Sequence, residues 1–323
     1  MKVIWFFVPL ILAVFSLKMK VFLSVLVGVI PVVGVLLAVG FFTLLERKLL
    51  AIIMIRKGPA KVSFMGILQP FSDAGKLFCK EFVVPSRAVM APFIMCPGVM
   101  LLISLVGWLL YPYKCVEVVY LAGIIQFIVV ASISVYGVMV AGWASNSKYA
   151  LLGSVRAMAQ SISYEIPLGF AVMAVLFVVS SFMLQEISMW QENSFIMLML
   201  FPVIFIIWIL CMLAETNRAP FDFVEGESEL VSGFNVEYSG GGFAMMFMSE
   251  YATMLLNSLI TATVFLGGSE LFMSVAMMLF VVVFVWVRAS LPRMRYDKLM
   301  GLCWSVLLCV AMSACVFYFV LSN

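Results

Sequence analysis

The spacing of charged residues constrains this chain more than any other feature. Asp, Glu, Lys and Arg are absent from eight stretches: 21–45, 88–113, 118–147, 166–185, 193–214, 251–269, 271–287 and 299–323. A helix needs about 20 residues to cross the hydrocarbon core of a bilayer. Seven of the stretches reach or nearly reach that length, and 271–287 does so by borrowing its flanks. The stretches are continuously apolar and do not alternate, which excludes a closed β-barrel. The expected fold is an all-α membrane protein, a bundle of eight transmembrane helices.

Composition agrees. Charged residues make up 11% of the chain and hydrophobic ones 65%, where a soluble domain carries about 25% charged residues. Residues 3–17 form a further, shorter apolar run. Its fifteen residues rise only about 22 Å as a helix, so it reads as a short extra N-terminal helix, interfacial or spanning. A signal-peptide core fits worse, because no small-residue cleavage pattern follows. The organisation expected is an apolar extension over 1–20 and one membrane domain over 21–323, with long polar loops at 46–87 and 215–241.

Basic residues give the orientation. With eight spans, 46–87, 143–161, 215–241 and 288–298 share one side of the membrane and hold fifteen of the nineteen Lys and Arg. That bias places them in the matrix or cytoplasm. The formal net charge of +3 is too mild to imply a nucleic-acid partner.

The chain has no histidine. This excludes His-ligated haem, His-ligated zinc or copper, a Ser-His-Asp triad and an imidazole base. The seven cysteines form no C-x-x-C pair and read as small hydrophobes. No phosphate loop or nucleophile elbow is present.

Proton chemistry is then left to carboxylates. Ionisable residues in or beside a span are costly and point to function. Glu165 stands where a span is expected to begin, Glu215 closes the span 193–214, and Glu250 has apolar helix on both sides. A carboxylate in low dielectric can hold or release a proton near neutral pH. Helix capping or pairing with Arg at the headgroups is the plainer alternative. The acidic loop 222–229 is open between a solvated charge run and a functional one. Arg47, Arg56, Arg156, Arg218 and Arg288 sit at or near span ends. Snorkelling accounts for some of these, while Arg156 and Arg218 lie among polar groups where pairing is expected.

Several motifs carry a family resemblance. They are Glu46-Arg47-Lys48, Arg56-Lys57-Gly58-Pro59, Leu68-Gln69-Pro70-Phe71-Ser72-Asp73-Ala74 and Gly142-Trp143-Ala144-Ser145-Asn146-Ser147-Lys148-Tyr149-Ala150. Arg156-Ala157 and Ala159-Gln160 then precede Ser163-Tyr164-Glu165. The longest is Ala214-Glu215-Thr216-Asn217-Arg218-Ala219-Pro220-Phe221-Asp222, running on through Glu225, Glu227 and Glu229 to Glu237-Tyr238. Trp286-Val287-Arg288-Ala289-Ser290 and Pro292-Arg293 close the set. In this order over about 25–323 the sequence resembles the subunit 1 family of NADH dehydrogenase, respiratory complex I, which includes its bacterial NADH-quinone oxidoreductase counterparts. Residues 1–20 extend beyond that family's usual start.

The resemblance implies an eight-helix subunit whose matrix-side loops build much of a ubiquinone cavity with partner subunits. Carried over by motif, Arg47, Arg56, Asp73, Arg156, Arg218, Glu225, Glu227 and Arg288 would line or support that cavity. Glu165, Glu215, Glu229 and Glu250 would form an acidic path from the cavity toward the pumping subunits. Ubiquinone would be the substrate, with NADH, FMN and iron–sulfur clusters handled in partner subunits of the peripheral arm. The absence of a presequence and the Met- and Phe-rich composition point to the mitochondrial inner membrane, with a bacterial plasma membrane as the alternative.

Other classes fit less well. A related hydrogenase anchor would share the acids but lack the quinone. A secondary transporter usually shows repeated halves, and none is found here. A purely structural anchor would not need carboxylates within its spans.

Overall fold

The computed structural model describes residues 31–112, 122–193, 196–222 and 233–322. Within them every regular element is helical. Six helices are long and apolar enough to cross a membrane, and a seventh apolar helix, Pro202–Glu215, is shorter. Residues 1–20, Glu225, Glu227 and Glu229 lie outside the described residues.

Residues 31–53 are helical (α1). Val35, Val39, Phe42 and Glu46 are buried, which is one stripe at helical spacing. The helix closes where Ile55 adopts a left-handed backbone (φ 55). Next comes α2, Gln69–Cys79, with Pro70 in its first turn, where a missing N–H costs nothing. It buries none of its residues in the chain, and Phe71 meets Phe41 of α1 edge-on at 6.0 Å.

Two spans, α3 (Met90–Leu110) and α4 (Gly123–Ala144), pack through small residues. Cys96 Sγ donates to the carbonyl of Gly137 at 3.1 Å. The last turn of α4 packs as tightly on the helix that follows: a Cβ on Gly142 would lie 2.3 Å from Ser154 Oγ. Small residues allow such close approach where apolar burial gives no net attraction between helices in lipid.

The central element is α5, Lys148–Val179, with 32 residues. It packs against α4, α8 and α11 and ends at Ser180 in a left-handed conformation. A short helix, α6 (Leu184–Asn193), and a single turn, α7 (Met197–Leu200), lead to α8, Pro202–Glu215. The last three spans are α9 (Gly240–Leu266), α10 (Glu270–Ser290) and α11 (Tyr296–Leu321). The final turn of α9 is π-helical, and Gln191 of α6 donates to two of its carbonyls, Thr263 at 3.2 Å and Val264 at 2.8 Å. Trp108 Nε1 donates to Ala252 O at 3.2 Å and joins α3 to α9.

The main core gathers Tyr164, Leu168, Trp208, Leu255, Ile260 and Phe265 from α5, α8 and α9. Large apolar side chains face outward on α10 and α11, among them Leu271, Trp286, Phe317 and Val320. Such faces suit a lipid solvent.

The structure moves several expected boundaries. Glu165 does not stand at the start of a span: it is the eighteenth of 32 residues in α5. Residues 148–161, expected as part of a polar segment, are helical. Likewise α9 starts at Gly240, eleven residues before the expected 251, and α1 carries Glu46 and Arg47 where a loop was expected. The reason is geometric. A helix of 32 residues is about 48 Å long and outreaches the hydrocarbon core, so its polar end escapes a search for charge-free runs. The charge-free run 193–214 also contains more than α8, because Phe201 leaves helical geometry (φ −124) just before Pro202.

Candidate functional site

Glu165 and Glu215 line one cavity. The 3.6-residue repeat puts Ser161, Tyr164, Glu165 and Leu168 on one side of α5, and Cys211 and Glu215 one turn apart on α8. With Ala131 and Val135 of α4 they line a small cavity of about 20 Å³. Ser132 stands beside Glu165, and Asn257 of α9 stands beside Glu215. Oε2 of Glu215 is buried without a hydrogen-bond partner among the described residues. Two carboxylates facing one small space repel each other when both are charged, so protonation of one is tied to the other.

A second cluster lies beyond the end of α8. Glu46 of α1 is buried. Tyr251 Oη of α9 donates to its Oε2, and Arg288 Nη1 of α10 donates to its Oε1. The Arg218 guanidinium, itself buried, lies 4.5 Å from the centre of the Tyr251 ring and 5.8 Å from that of Phe247. Glu46, Thr216, Arg218 and Arg288 line a common hollow with Leu213 and Met254. A buried carboxylate with both oxygens engaged, one of them by a guanidinium, is a fixed centre.

The third feature is an apolar pocket of about 820 Å³ between α1, α2 and α9. Gly40, Phe41, Pro70, Phe71, Ala244, Phe247 and Met248 are among its walls. Arg47 and Asp73 supply its polar edge, bonded Nη1 to Oδ2 at 2.5 Å. Gln69 Nε2 donates to the other Asp73 oxygen at 2.9 Å. An apolar cavity with few polar groups at one end is the usual form of a site for an apolar ligand with a polar head.

Tyr238 anchors the segment that follows the acidic loop. Its ring stacks on Phe93 at 4.2 Å, and burial pushes its hydroxyl above the ordinary phenol range. Arg293, beyond α10, pairs with Asp222 at 3.1 Å, tying the opposite end of that loop to the α10–α11 link.

The residues singled out in the sequence thus fall into separate places. Glu165 and Glu215 come together. Arg288 pairs with Glu46, and Arg218 lines the same hollow. Arg47 and Asp73 pair at the apolar pocket. Glu250 is half-buried in α9, seven residues and two turns from Asn257, on the same face. Arg56 is exposed in the link after α1, and Arg156 is half-buried on α5. Three residues escape the sequence reading. Glu46 enters it only as part of a motif, and neither Tyr251 nor Asn257 stands out. The position of Glu46 within the helical stripe of Val35, Val39 and Phe42 is the signal that marks it as inward-facing. Among the described residues no three of His, Cys, Asp and Glu gather as a metal site.

Comparison with known proteins adds a second line of observation. A family model described as NADH dehydrogenase matches residues 3–319. This match takes in most of 1–20, the segment expected to precede the family's usual start. A protein named NADH-ubiquinone oxidoreductase chain 1 from Mytilus edulis is 67% identical over 293 residues, covering 91% of this chain and 96% of its own length. Proteins of the same name from Heterololigo bleekeri and Aedes aegypti are 48% and 44% identical, each covering over nine-tenths of both chains.

Proposed function

Because the chain belongs to the NADH dehydrogenase family, we propose that it is the membrane subunit of a proton-pumping NADH:ubiquinone oxidoreductase that holds much of the quinone cavity and couples quinone reduction to proton movement. The observation that carries this reading is continuity. Phe247 lines the apolar pocket and also underlies Arg218. Arg218 shares a hollow with Glu46 and Thr216, and Thr216 is the neighbour of Glu215 in the acid cavity. An apolar ligand site, a charged centre and a carboxylate pair therefore lie in series.

In this reading the apolar pocket receives the quinone's isoprenoid tail, and Arg47, Asp73, Arg56 and Arg156 support the cavity toward the peripheral arm. Partner subunits carry NADH, FMN and the iron–sulfur clusters that supply electrons. Reduction of a quinone takes up two protons and draws negative charge toward the headgroup first. Arg218 and Arg288 stabilise that charge, with Glu225 and Glu227 completing the polar wall. Glu165, Glu215, Glu229 and Glu250 answer it by shifting protons along the interior. Loop 215–241 repacks with them and passes the change to neighbouring membrane subunits.

Eight spans complete the architecture: six by length and apolarity, the shorter Pro202–Glu215, and the helix containing 31–53. We read 21–323 as one membrane domain, preceded by the apolar extension 1–20, which lies outside the described residues. The animal relatives support a location in the mitochondrial inner membrane, multi-pass, with lipid around it and other subunits of the complex as partners.

Glu215→Gln in the assembled complex tests the reading. NADH oxidation by an artificial acceptor should persist, while quinone reduction and the protons pumped with it fall. Wild-type pumping per NADH in an intact mutant complex refutes the assignment.

A further inference from the structure

Gln160 is fully buried on α5. Its side-chain nitrogen donates to two backbone carbonyls outside α5: Ala214 O at 2.8 Å and Phe221 O at 3.0 Å. The carbonyl of Ala214 belongs to the last turn of α8 and also accepts from the Asn217 backbone N–H at 3.3 Å. Phe221 lies beyond that helix, past Arg218. One amide thus staples both ends of the segment 215–220 to the helix that carries Glu165.

From this geometry we propose that Gln160 is a positioning residue for proton transfer, setting the spacing of Glu165 and Glu215. Glu165 lies five residues along the same rigid helix, and Glu215 directly follows the clamped carbonyl. The inference rests on the functional reading above, in which these two carboxylates exchange protons. Its chemistry is specific to a primary amide. Two N–H bonds must leave one nitrogen toward two acceptors, which Glu, Met and Leu cannot supply and Asn is one carbon too short to reach.

The amide is only partly satisfied: its Oε1 is buried with no hydrogen-bond partner among the described residues, while each bond from its nitrogen contributes about 1 kcal/mol. Ser163 Oγ donates to the Gln160 carbonyl at 2.8 Å, and Tyr164 Oη to Leu299 O at 3.2 Å, so this turn of α5 is held independently of the amide. What the amide adds is the register of the α8 end against α5.

The test is made on the purified whole complex with Gln160→Met, Gln160→Glu and Glu215→Gln. Assembly is read by native electrophoresis and by NADH oxidation with an artificial acceptor. Quinone reduction is then followed from pH 6 to 9. Gln160→Met should lower kcat about tenfold or more with the KM for quinone unchanged, since small misplacements of reacting groups are that costly. Gln160→Glu should show a pH profile of its own. A neutral carboxyl donates one of the two bonds, whereas the ionised form donates none and faces two carbonyl oxygens. Its rate relative to wild type should therefore fall as pH rises. Charged and titratable groups on the elements packed here are Arg156, Tyr164 and Glu165 of α5, Cys211 and Glu215 of α8, Arg218 and Asp222 after it, and Cys303 of α11. Wild type and Gln160→Met share all of these, so a profile shift unique to Gln160→Glu reports the clamp.

Each contrary result is informative. If Glu215→Gln slows quinone reduction while Gln160→Met keeps the wild-type kcat and pH profile, the clamp proposal fails and the parent reading stands. If Glu215→Gln is neutral and Gln160→Met is slow, the parent reading fails and Gln160 is only structural. Failure of both Gln160 variants to assemble also overturns the positioning role.

Discussion

Tyr251 and Glu46 are 205 residues apart in sequence, yet the tyrosine hydroxyl donates to the glutamate carboxylate. Arg288 holds the other oxygen of the same group. Three helices, α1, α9 and α10, are thus joined at one carboxylate, next to the proposed quinone site. Because Glu46 is buried, its charge depends on those two partners.

Loss of these bonds should therefore be graded. Tyr251→Phe removes one hydrogen bond and should cost about 1 kcal/mol. Glu46→Ala leaves Arg288 without its carboxylate and should cost up to about 3 kcal/mol, reduced by the 37% exposure of the arginine side chain. Thermal melting of the purified complex checks both. Equal melting midpoints for Glu46→Ala and wild type would remove the structural role.

Arg218 is a stacked cation, so Arg218→Lys is not conservative. The charge remains but the planar face over Tyr251 and Phe247 is lost. A loss of about 1 kcal/mol corresponds to roughly a fivefold rise in the KM for quinone. Steady-state kinetics with a short-chain quinone measures it, and an unchanged KM counts against a headgroup role.

The apolar pocket predicts a size effect. A Cβ on Gly40 would meet Pro70 at an ordinary 3.6 Å, so Ala is tolerated there. Gly40→Leu instead projects three more carbons into the space. It should raise the KM for a long-tailed quinone by about tenfold, roughly 1.4 kcal/mol, and leave NADH oxidation by an artificial acceptor unchanged. Equal KM values for long-tailed quinone in the two proteins would show that the tail lies elsewhere.

Close backbone contact predicts a packing effect. A Cβ on Gly153 would lie 3.0 Å from the Gly233 Cα and 3.2 Å from the Phe234 nitrogen. Neither atom belongs to a flexible side chain. Gly153→Ala should push the segment after the acidic loop off α5, at about 1–3 kcal/mol, with slower quinone reduction. Faster proteolysis at 233–239 in the isolated mutant complex is the accompanying sign, and wild-type protection there would contradict it.

Much of the site is legible from charge placement alone. Glu165 and Glu215 stand out because ionisable groups are rare in apolar sequence, and the structure places both on one cavity. Glu46 does not, because it adjoins Arg47 and Lys48 and reads as the start of a loop. Only the continuation of α1 to residue 53 turns it inward. Gln160 is equally silent: an uncharged amide in a helix carries no signal until its two acceptors are known.

The sequence by itself determined the class of fold and the apolar stretches long enough to span a membrane, because those follow from length and hydropathy counted along one dimension. It also determined the family, through motifs that are local. Tertiary structure alone decided which charges meet. Whether Arg218 faces Tyr251, or Arg288 reaches Glu46 across 242 residues, depends on how helices rotate and how far they run past the bilayer. Those are properties of packing between distant segments, on which a run of apolar residues is silent.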